Sequence, residues 1–531
     1  MRKSVAVALI LFCIASIVNA QPSIEWAKCF GGVHPDYLAK IVEIPSGYVL
    51  AGTSFCTDLP GHHGYTETSD AWLVKISADG SNPKYLSIGG WSNEWVYDCV
   101  QTTDGGFALL GTTESHDADM KDRKDSSSQQ LVFVAKVSPD FTLSWVKTYD
   151  TSILEFGYSI VQLSSGDFIV SGRRHVVGNT SQPGRIISLD TDGNKKWSKD
   201  IEIMDIKICK TINDKIMLTG TAMGFIATHG LSDIWVAQMT AEGKIQWQNT
   251  YGGSNSETAS SITAYRDGEY DKFLIGGLTN SHDGQVTERH FADTNGWGNA
   301  WVLCVGGTGD LIWQTVLGGS EYENVRAIDA TPDNGCIVGI LTSSNDGDVT
   351  GERTIFDEFF YVPWVVKLGS KGEFQWGHSY DIVKRGNASS NCDALLHTKD
   401  NGYIFSAPVY SNGGDVAGFH GGSNIYSDAW VVKLSASPSS VISSMAQGDE
   451  ALRIISHSDS YTISYSEAQT GPVELQLFDI MGHCIYSRNL GIQPPGDYYN
   501  DFSTEGITAG SYQVVLTSTQ RVETAKLIIM H

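Results

Sequence analysis

The sequence of 531 residues lacks an excess of positive charge. Its 36 Lys and Arg residues are outnumbered by 60 Asp and Glu residues, which gives a formal net charge of −24 at pH 7. Nucleic acids and anionic membrane surfaces attract proteins through basic patches. We therefore expect neither nucleic acid nor an anionic membrane surface as a partner.

Long apolar runs are also missing after the first 20 residues. No later segment has 18 consecutive apolar residues, so we expect no transmembrane segment. At the N-terminus, the basic residues Arg2 and Lys3 precede an apolar stretch from Val5 to Val18, which ends near Ala20. This pattern predicts a signal peptide over residues 1–20. We therefore expect a protein that is secreted or displayed on the cell surface.

The cysteines show no metal-site spacing. Nine are present, one of them within the predicted signal peptide, and no two form a C-x-x-C pair. Structural zinc sites usually contain such close pairs of ligands. Disulfide scaffolds are denser and occur in shorter chains. The remaining eight cysteines are therefore expected to be buried free thiols.

Glycine is abundant, with 56 residues against 14 prolines, and an internal repeat contains much of it. Each repeat of about 50–65 residues has an apolar strand ending in Trp, a Gly-Gly pair and three further strands. The second strands are Tyr48–Gly52, Phe107–Gly111, Phe168–Gly172, Ile216–Gly220, Phe273–Gly277, Cys336–Gly339 and Tyr403–Ala407. The third strands begin at Ala71, Leu131, Arg185, Ile234, Ala300, Pro363 and Ala429.

The fourth strand of the last repeat is missing, and a strand with its pattern lies at the other end of the chain, in Ile24–Lys28. A ring closed by the N-terminal strand has no exposed sheet edge. We therefore predict an all-β fold, a seven-bladed β-propeller over residues 21–437. A Trp that recurs once per repeat, as in Trp145 and Trp197, is expected to pack between blades.

A linker and a small second domain follow the repeats. Residues 438–446 are rich in Ser and poor in apolar residues, which is typical of a linker. Residues 447–531 contain six short apolar segments separated by turns. This pattern predicts a small C-terminal β-sandwich.

Three segments of this second domain resemble a known family. Val473–Gly482, Ile507–Leu516 and Thr524–Ile529 are similar to the C-terminal sorting domain of the type IX (Por) secretion system of Bacteroidetes. The Pro-Asn-Pro phrase that often opens this family is missing. The resemblance implies export through the type IX secretion machinery, followed by release or attachment to the cell surface. A plain accessory β-sandwich, such as a carbohydrate-binding module, is the alternative.

The repeats also resemble a family, the secreted propellers with D-G-G-Y-I-V-A-G and D-x-W-V-V-K-L phrases that commonly accompany this tail. Asp104–Gly111 and Asp428–Leu434 show the resemblance. It implies no general enzymatic activity.

An acidic residue recurs near the start of the first strand in six of the seven repeats, usually four positions after the second Gly of the Gly-Gly pair; repeat seven has Ser390 instead. The six positions are Asp36, Glu94, Glu155, Asp205, Glu257 and Glu323. In a propeller they would surround the mouth of the central channel, where neighbouring carboxylates repel one another. They could bind a cation or a cationic ligand there. Alternatively, each acid accepts hydrogen bonds from backbone N–H groups in its own turn.

A second acidic set lies in the long loops between second and third strands, where binding residues usually occur. Its members are Asp117, Asp119, Asp283, Asp346, Asp348 and Asp415. Spaced carboxylates suit calcium, so Ca²⁺ is the candidate cofactor, although the complete calcium-loop pattern is missing. An Asx-type turn is the alternative for these residues.

Aromatic residues in the same long loops are candidates for ligand binding. They include Tyr65, Trp297, Phe359, Phe360 and Tyr426, and exposed apolar clusters often mark interaction sites. No nucleophile, metalloprotease or nucleotide motif occurs, so no catalytic residue is assigned. We predict a non-catalytic binding or adhesion module for a carbohydrate or protein. The alternative is a secreted glycan-active hydrolase that uses acidic loop residues.

Overall fold

The computed structural model describes most of the chain between Pro22 and Ile529. The described ranges are 22–65, 67–123, 130–149, 156–173, 183–287, 297–351, 361–382, 392–421, 426–436, 453–456, 460–467, 469–478, 484–503, 507, 510–518 and 522–529. The chain divides into two units, Met1–Pro438 and Ser439–His531, which are described separately.

The first unit consists of short strands, because apolar runs of four to eight residues alternate with Gly-containing turns. The strands are β1 (Ile24–Phe30), β2 (Asp36–Ile44), β3 (Gly47–Ser54), β4 (Asp70–Ser77), β5 (Lys84–Ile88), β6 (Glu94–Gln101), β7 (Phe107–Thr113), β8 (Leu131–Val137), β9 (Leu143–Tyr149), β10 (Phe156–Gln162), β11 (Phe168–Arg173), β12 (Gly184–Leu189), β13 (Lys195–Ile201), β14 (Met204–Lys210), β15 (Ile216–Met223), β16 (Ser232–Met239), β17 (Ile245–Tyr251), β18 (Glu257–Asp267), β19 (Tyr270–Thr279), β20 (Asn299–Gly306), β21 (Leu311–Leu317), β22 (Glu323–Ala330), β23 (Cys336–Thr342), β24 (Val362–Leu368), β25 (Phe374–Ser379), β26 (Ala394–His397), β27 (Tyr403–Val409) and β28 (Asp428–Leu434).

These strands form repeated four-stranded antiparallel sheets that resemble propeller blades. Among the described residues there are seven such sheets: β2–β5, β6–β9, β10–β13, β14–β17, β18–β21, β22–β25, and β26–β28 with β1. In the last sheet, β1 pairs antiparallel with β28, and Cys29 lies opposite Trp430. The N-terminal strand therefore completes the sheet that the last three strands begin.

The first strands of successive sheets contact one another around the unit. β2 contacts β6, β6 contacts β10, and the series continues to β26, which contacts β2. The second and third strands are buried on both faces, as in β3 and β8. Their apolar side chains pack between neighbouring sheets; Leu50 and Val431, for example, belong to one cluster. The hydrophobic core therefore lies between the sheets.

Fourth-strand Trp residues contact the turn between third and fourth strands of the next sheet. The pairs are Trp26 with Gly80, Trp145 with Gly193, Trp197 with Gly243, Trp247 with Gly309 and Trp313 with Gly372. Gly193 has a φ of +78°, and an added Cβ would lie 2.7 Å from the Trp145 ring. Glycine is therefore required there both by the backbone conformation and by the close approach of the indole. The recurring Trp packs between sheets, as the sequence predicts.

The second unit contains β29 (Arg453–Ser456), β30 (Ser460–Glu467), β31 (Gly471–Phe478), β32 (Cys484–Gln493), β33 (Gly496–Ser503), β34 (Gly510–Ser518) and β35 (Val522–Ile529). They form a three-stranded sheet in the order β29-β30-β33 and a four-stranded sheet in the order β32-β31-β34-β35. Ile463 of the first sheet and Leu475 of the second belong to one hydrophobic cluster. The sequence prediction includes every one of these strands except β33.

Helical structure is limited, within the described ranges, to two short 3₁₀ turns at Ala118–Met120 and Gly224–Ile226. Neither is long and apolar enough to cross a membrane.

Candidate functional site

The acids that begin the first strands accept hydrogen bonds from the Gly-Gly turns. In three sheets, a Glu Oε2 accepts from the backbone N–H of the Gly four residues earlier. The N–O distances are 3.0 Å for Gly90 and Glu94, 2.9 Å for Gly253 and Glu257, and 3.0 Å for Gly319 and Glu323. In the first sheet, Asp36 Oδ2 accepts from Gly32 N–H at 3.0 Å. These bonds fit the turn-capping alternative for the set.

The other oxygen of each Glu accepts a hydrogen bond from a Thr hydroxyl at the end of the second strand. The partners are Thr113 for Glu94, Thr279 for Glu257 and Thr342 for Glu323. All three Glu side chains, like Asp36, have no exposed surface. Solvent therefore does not reach these four carboxyl groups, which lie between sheets.

The remaining two members of this predicted set differ. Glu155 lies outside the described residues. Asp205 is exposed, and its φ of 52° places it in the left-handed region. Asp and Asn tolerate this conformation better than most residues. Asp205 therefore does not share the buried environment of the other acids.

The long-loop acids bind the same Gly-Gly turns from the other side. Asp117, Asp283 and Asp346 each accept from the N–H of the residue that follows the Gly pair, at 2.9 Å from Trp91, 2.7 Å from Ser254 and 2.8 Å from Ser320. Asp119 and Asp348 accept from the first Gly of the pair, at 3.1 Å from Gly89 and 3.2 Å from Gly318. Asp415 accepts from Asp381 N–H at 2.7 Å.

Members of the two predicted acidic sets therefore meet at three Gly-Gly turns, and each of these three long loops holds the turn that leads into its own sheet. The Ser254 N–H lowers the pKa of Asp283 because it stabilises the charged carboxylate. Burial raises the pKa of Asp415. A calcium ion would have to replace these N–H donors, and calcium binding stays a prediction.

A further Asp lies against each buried acid at three sheet boundaries. The pairs are Asp70 with Glu94, Asp233 with Glu257, and Asp428 with Asp36. A Cβ added to Gly89 would lie 2.4 Å from Asp70 Oδ1 and 2.5 Å from Glu94 Oε2, so the two carboxyl groups approach the same small space. In the described part of the chain, three buried oxygens have no hydrogen-bond partner: Asp70 Oδ1, Asp233 Oδ1 and Asp428 Oδ1.

Burial is the main cause of raised pKa values in these pairs. It raises the pKa of Glu94 to about 7, although Thr113 and Gly90 oppose the shift, and the charge of Asp70 adds to it. Burial likewise raises the pKa of Asp36 to about 7, with Asp428 adding to the shift. The pKa of Asp428 itself is raised to about 6. In the folded chain these acids therefore keep their protons to a higher pH than ordinary carboxyl groups do.

A His donates to the Asp of each pair. His63 donates its backbone N–H to Asp70 Oδ2 at 2.8 Å, and its Nδ1 lies 3.0 Å from the same oxygen. His229 with Asp233 and His420 with Asp428 repeat this arrangement. The hydrogen bond with Asp70 raises the pKa of His63. Between the fifth and sixth sheets, Asn299 of β20 replaces the Asp, and its Nδ2 donates to Oε2 of Glu323 in β22 at 3.2 Å.

Two exposed aromatic rings form a pair on the long-loop side of the first two sheets. Tyr65 and Trp91 are 65% and 61% exposed, and their ring centroids are 6.1 Å apart. An open cavity of about 330 Å³ in the same two sheets is lined by residues that include Pro60, His63 and Asp119. The sequence prediction missed Trp91. Its signal was an aromatic residue directly after a Gly-Gly pair, where two other repeats have Ser254 and Ser320.

The other predicted aromatics are less exposed. Trp297 is half-buried and lies 6.4 Å from Tyr322, which lies 5.6 Å from Tyr361. Tyr426 is half-buried and its ring lies 5.2 Å from that of His34. Phe359 and Phe360 lie outside the described residues.

Comparisons with known proteins give weak structural matches only. No protein-family model matches the chain, and no curated protein matches it. A Bacteroides caccae protein of unknown function aligns with 11% identity and a TM-score of 0.33, over 62% of this chain and 93% of that one. The β-propeller domain of the Trilobed protease from Pyrococcus furiosus aligns with 11% identity and a TM-score of 0.38, over 70% and 89%.

PorZ from Porphyromonas gingivalis, a surface component of the type IX secretion system, aligns with 11% identity and a TM-score of 0.41. The match covers 94% of this chain and 60% of PorZ. Similarities at this level carry no argument about function, which depends on the site rather than the fold.

Proposed function

We propose that the chain is an exported, non-catalytic binding or adhesion module for a carbohydrate or protein, built on a closed seven-bladed β-propeller. The exposed pair of Tyr65 and Trp91 is the observation that carries this proposal. Aromatic side chains bury much apolar area on binding and lose little conformational entropy, which makes them effective contact residues. The sheets and clamped turns beneath the pair provide a rigid support.

Hydrogen bonds hold the backbone of both Tyr65 and Trp91. Trp91 donates its backbone N–H to Asp117, and this bond connects the turn of one sheet to the long loop of the same sheet. Thr68 Oγ1 accepts from the backbone N–H of Tyr65 at 2.9 Å. Because both backbones are held, little ordering would be required on binding. The net charge of −24 favours a neutral or cationic ligand over an anionic one.

The burial of the paired carboxyl groups disfavours the glycan-hydrolase alternative. Glu94 and Asp70 are at most 1% exposed, and Glu257 and Asp233 are fully buried. A general acid must come within hydrogen-bond reach of the substrate oxygen that it protonates. These pairs could not do so without opening the packing between two sheets.

A glycan array followed by titration calorimetry on the full chain tests the proposal. We expect Trp91→Ala and Tyr65→Ala each to weaken binding of the best ligand by about tenfold or more, because a central aromatic contact contributes at least ~1.4 kcal/mol. Tyr270→Ala is the matched control, since Tyr270 is 75% exposed and begins β19, directly after the turn from β18. Equal losses in all three variants, or none in the first two, would contradict the assignment.

We further propose that the second unit is the type IX sorting domain. The three segments that carry the family resemblance overlap β31, β34 and β35, which are neighbours in one sheet. In a bacterium with this secretion system, the full chain should reach the cell exterior and a chain ending at Ala436 should remain inside. Fractionation and immunoblotting measure this difference. Equal export of both chains would contradict the role of the second unit.

A further inference from the structure

One loop of the first sheet has a cysteine where the corresponding loops of three other sheets have a serine. The position lies two residues after the Ser or Thr that ends the second strand of each sheet. It is occupied by Cys56 in the first sheet and, in the other three, by Ser115, Ser281 and Ser344. Each Ser hydroxyl accepts a backbone N–H from the turn after a Gly-Gly pair, at 2.8–2.9 Å. Cys56 Sγ accepts from His34 N–H at 3.2 Å in the same way. The backbone arrangement is therefore retained while oxygen is replaced by sulfur.

This replacement brings together three side chains that bind transition metals. His34, Cys56 and Asp58 each offer one ligand atom, and the three atoms lie within 4.8 Å of one another. Zinc–ligand bonds of about 2.0–2.3 Å place tetrahedral ligands roughly 3.3–3.8 Å apart. Zinc binding would therefore draw the three atoms closer together than they are in this structure.

The local hydrogen bonding leaves ligand atoms unused. His34 Nδ1 is buried and has no hydrogen-bond partner within the described ranges. Asp58 in the first sheet occupies the position that Asp117 has in the second. A Cβ added to Gly32 would lie 2.4 Å from Asp58 Oδ1. A Cβ added to the equivalent Gly90 would lie at the same distance from Asp117 Oδ1. Unlike Asp117, Asp58 has no hydrogen bond within the described part of the chain.

A fourth group adds an independent observation. Asp36 has no exposed surface, and its Oδ2 lies 3.1 Å from Cys56 Sγ. Among the residues that the structure describes, its Oδ1 is buried without a hydrogen-bond partner. A buried carboxylate oxygen without a donor is costly unless a proton or a cation satisfies it. Asp36 is thus placed to complete the ligand set or to support it.

We propose that His34, Cys56 and Asp58 bind one zinc ion, with Asp36 beside them. One sulfur, one nitrogen and one oxygen ligand suit zinc, whereas calcium and magnesium take oxygen ligands only. His34 lies on the connection from β1 to β2, and Cys56 and Asp58 lie in the loop after β3. The ion would therefore tie the connection that leaves the closing strand to the first sheet, and its binding would stabilise the folded state.

Zinc binding is measured on the full chain after treatment with a chelator, by equilibrium dialysis with metal analysis and by thermal unfolding. We expect one zinc per chain and a higher melting temperature with zinc. Cobalt should give the near-ultraviolet absorption of a metal–thiolate bond. Cys56→Ser should weaken zinc binding at least tenfold and abolish this absorption, while it keeps the hydrogen-bond acceptor found in the other sheets.

Two further variants keep the test decisive. Cys209→Ser, at a half-buried cysteine of β14 outside the group, should bind zinc as the unchanged chain does. Asp58→Asn, at an exposed residue, should weaken binding even if Cys56→Ser fails to fold. The proposal is overturned if the unchanged chain takes up no zinc at micromolar concentration, or if the folded Cys56→Ser and Asp58→Asn variants both bind as tightly as it does.

Discussion

Raising the pH from 5 to 8 is expected to lower the melting temperature of the first unit by several degrees. In the metal-free chain, Glu94 and Asp36 have folded-state pKa values of about 7, and Asp428 of about 6. Ordinary carboxyl groups titrate near 4. The folded state therefore binds protons more tightly than the unfolded state between these values. The contribution to stability is complete below about pH 4 and is lost as the pH rises through about 7.

The expected size follows from the shifts. One pKa unit corresponds to about 1.4 kcal/mol, so each fully buried acid could contribute roughly 1–4 kcal/mol. Many proteins instead lose stability in acid, because carboxylates paired with cations must be protonated. Thermal unfolding of the full chain, followed by calorimetry at pH 5 and pH 8 and constant ionic strength, measures the difference. A melting temperature of the first unit that rises toward pH 8 would contradict the prediction.

The pair of Asn299 and Glu323, between the fifth and sixth sheets, suggests a variant that isolates the effect of the paired carboxyl groups on stability. Asn299 donates a hydrogen bond to Glu323. At the equivalent position beside Glu94, Asp70 provides a second carboxyl group, which donates no such bond. Asp70→Asn should therefore supply a donor to Glu94 and keep an acceptor for His63. We expect a higher melting temperature at pH 8 and a weaker dependence on pH.

The reverse substitution is the matched control. Asn299→Asp places a second carboxyl group beside Glu323, between the fifth and sixth sheets. It should lower the melting temperature at pH 8 more than at pH 5. The explanation fails if Asp70→Asn destabilises the chain equally at both pH values. In that case the buried pairs would serve packing and hydrogen bonding without a shared titration.

The repeats could be predicted from the sequence because each strand has its own signal. A third strand such as Asp428–Leu434 is apolar throughout and begins after a turn, so its period and boundaries are local properties. The recurrence of Trp145 and Trp197 is also local, and packing between sheets explains it. β33 has no such signal, because Gly496–Ser503 is mostly polar and its Tyr498 stacks on Tyr465 of another strand.

The candidate sites depend on contacts between repeats, which spacing along the chain does not indicate. Asp70 directly precedes the third strand that the sequence predicts from Ala71, and only the packing of two sheets brings it against Glu94. His34 and Cys56 are 22 residues apart and meet because a turn and a loop share hydrogen bonds. A search for closely spaced cysteine pairs therefore finds no zinc site, although three ligand types lie together.

Removal of the closing strand should have the largest effect of all. A full chain that lacks Ile24–Phe30 loses all of the backbone pairing between β1 and β28. This pairing begins with Ile24 opposite Leu434 and ends with Phe30 opposite Ala429. Each lost hydrogen bond costs about 1 kcal/mol, and each buried large side chain about 1.5–3 kcal/mol. The total is comparable with the whole stability of a typical domain, about 5–15 kcal/mol. We therefore expect no cooperative unfolding of the first unit.

Single substitutions in β1 distinguish the loss of side-chain packing from the loss of the whole strand. Phe30 is 4% exposed, and Phe30→Ala should cost about 3–5 kcal/mol. Ile24 is 42% exposed, and Ile24→Ala should change stability by less than about 0.5 kcal/mol. A chain that ends at Ala436 retains β1 and should keep the melting temperature of the first unit. If the chain without Ile24–Phe30 unfolds cooperatively at that same temperature, β1 does not hold the last sheet, and the ring is open in solution.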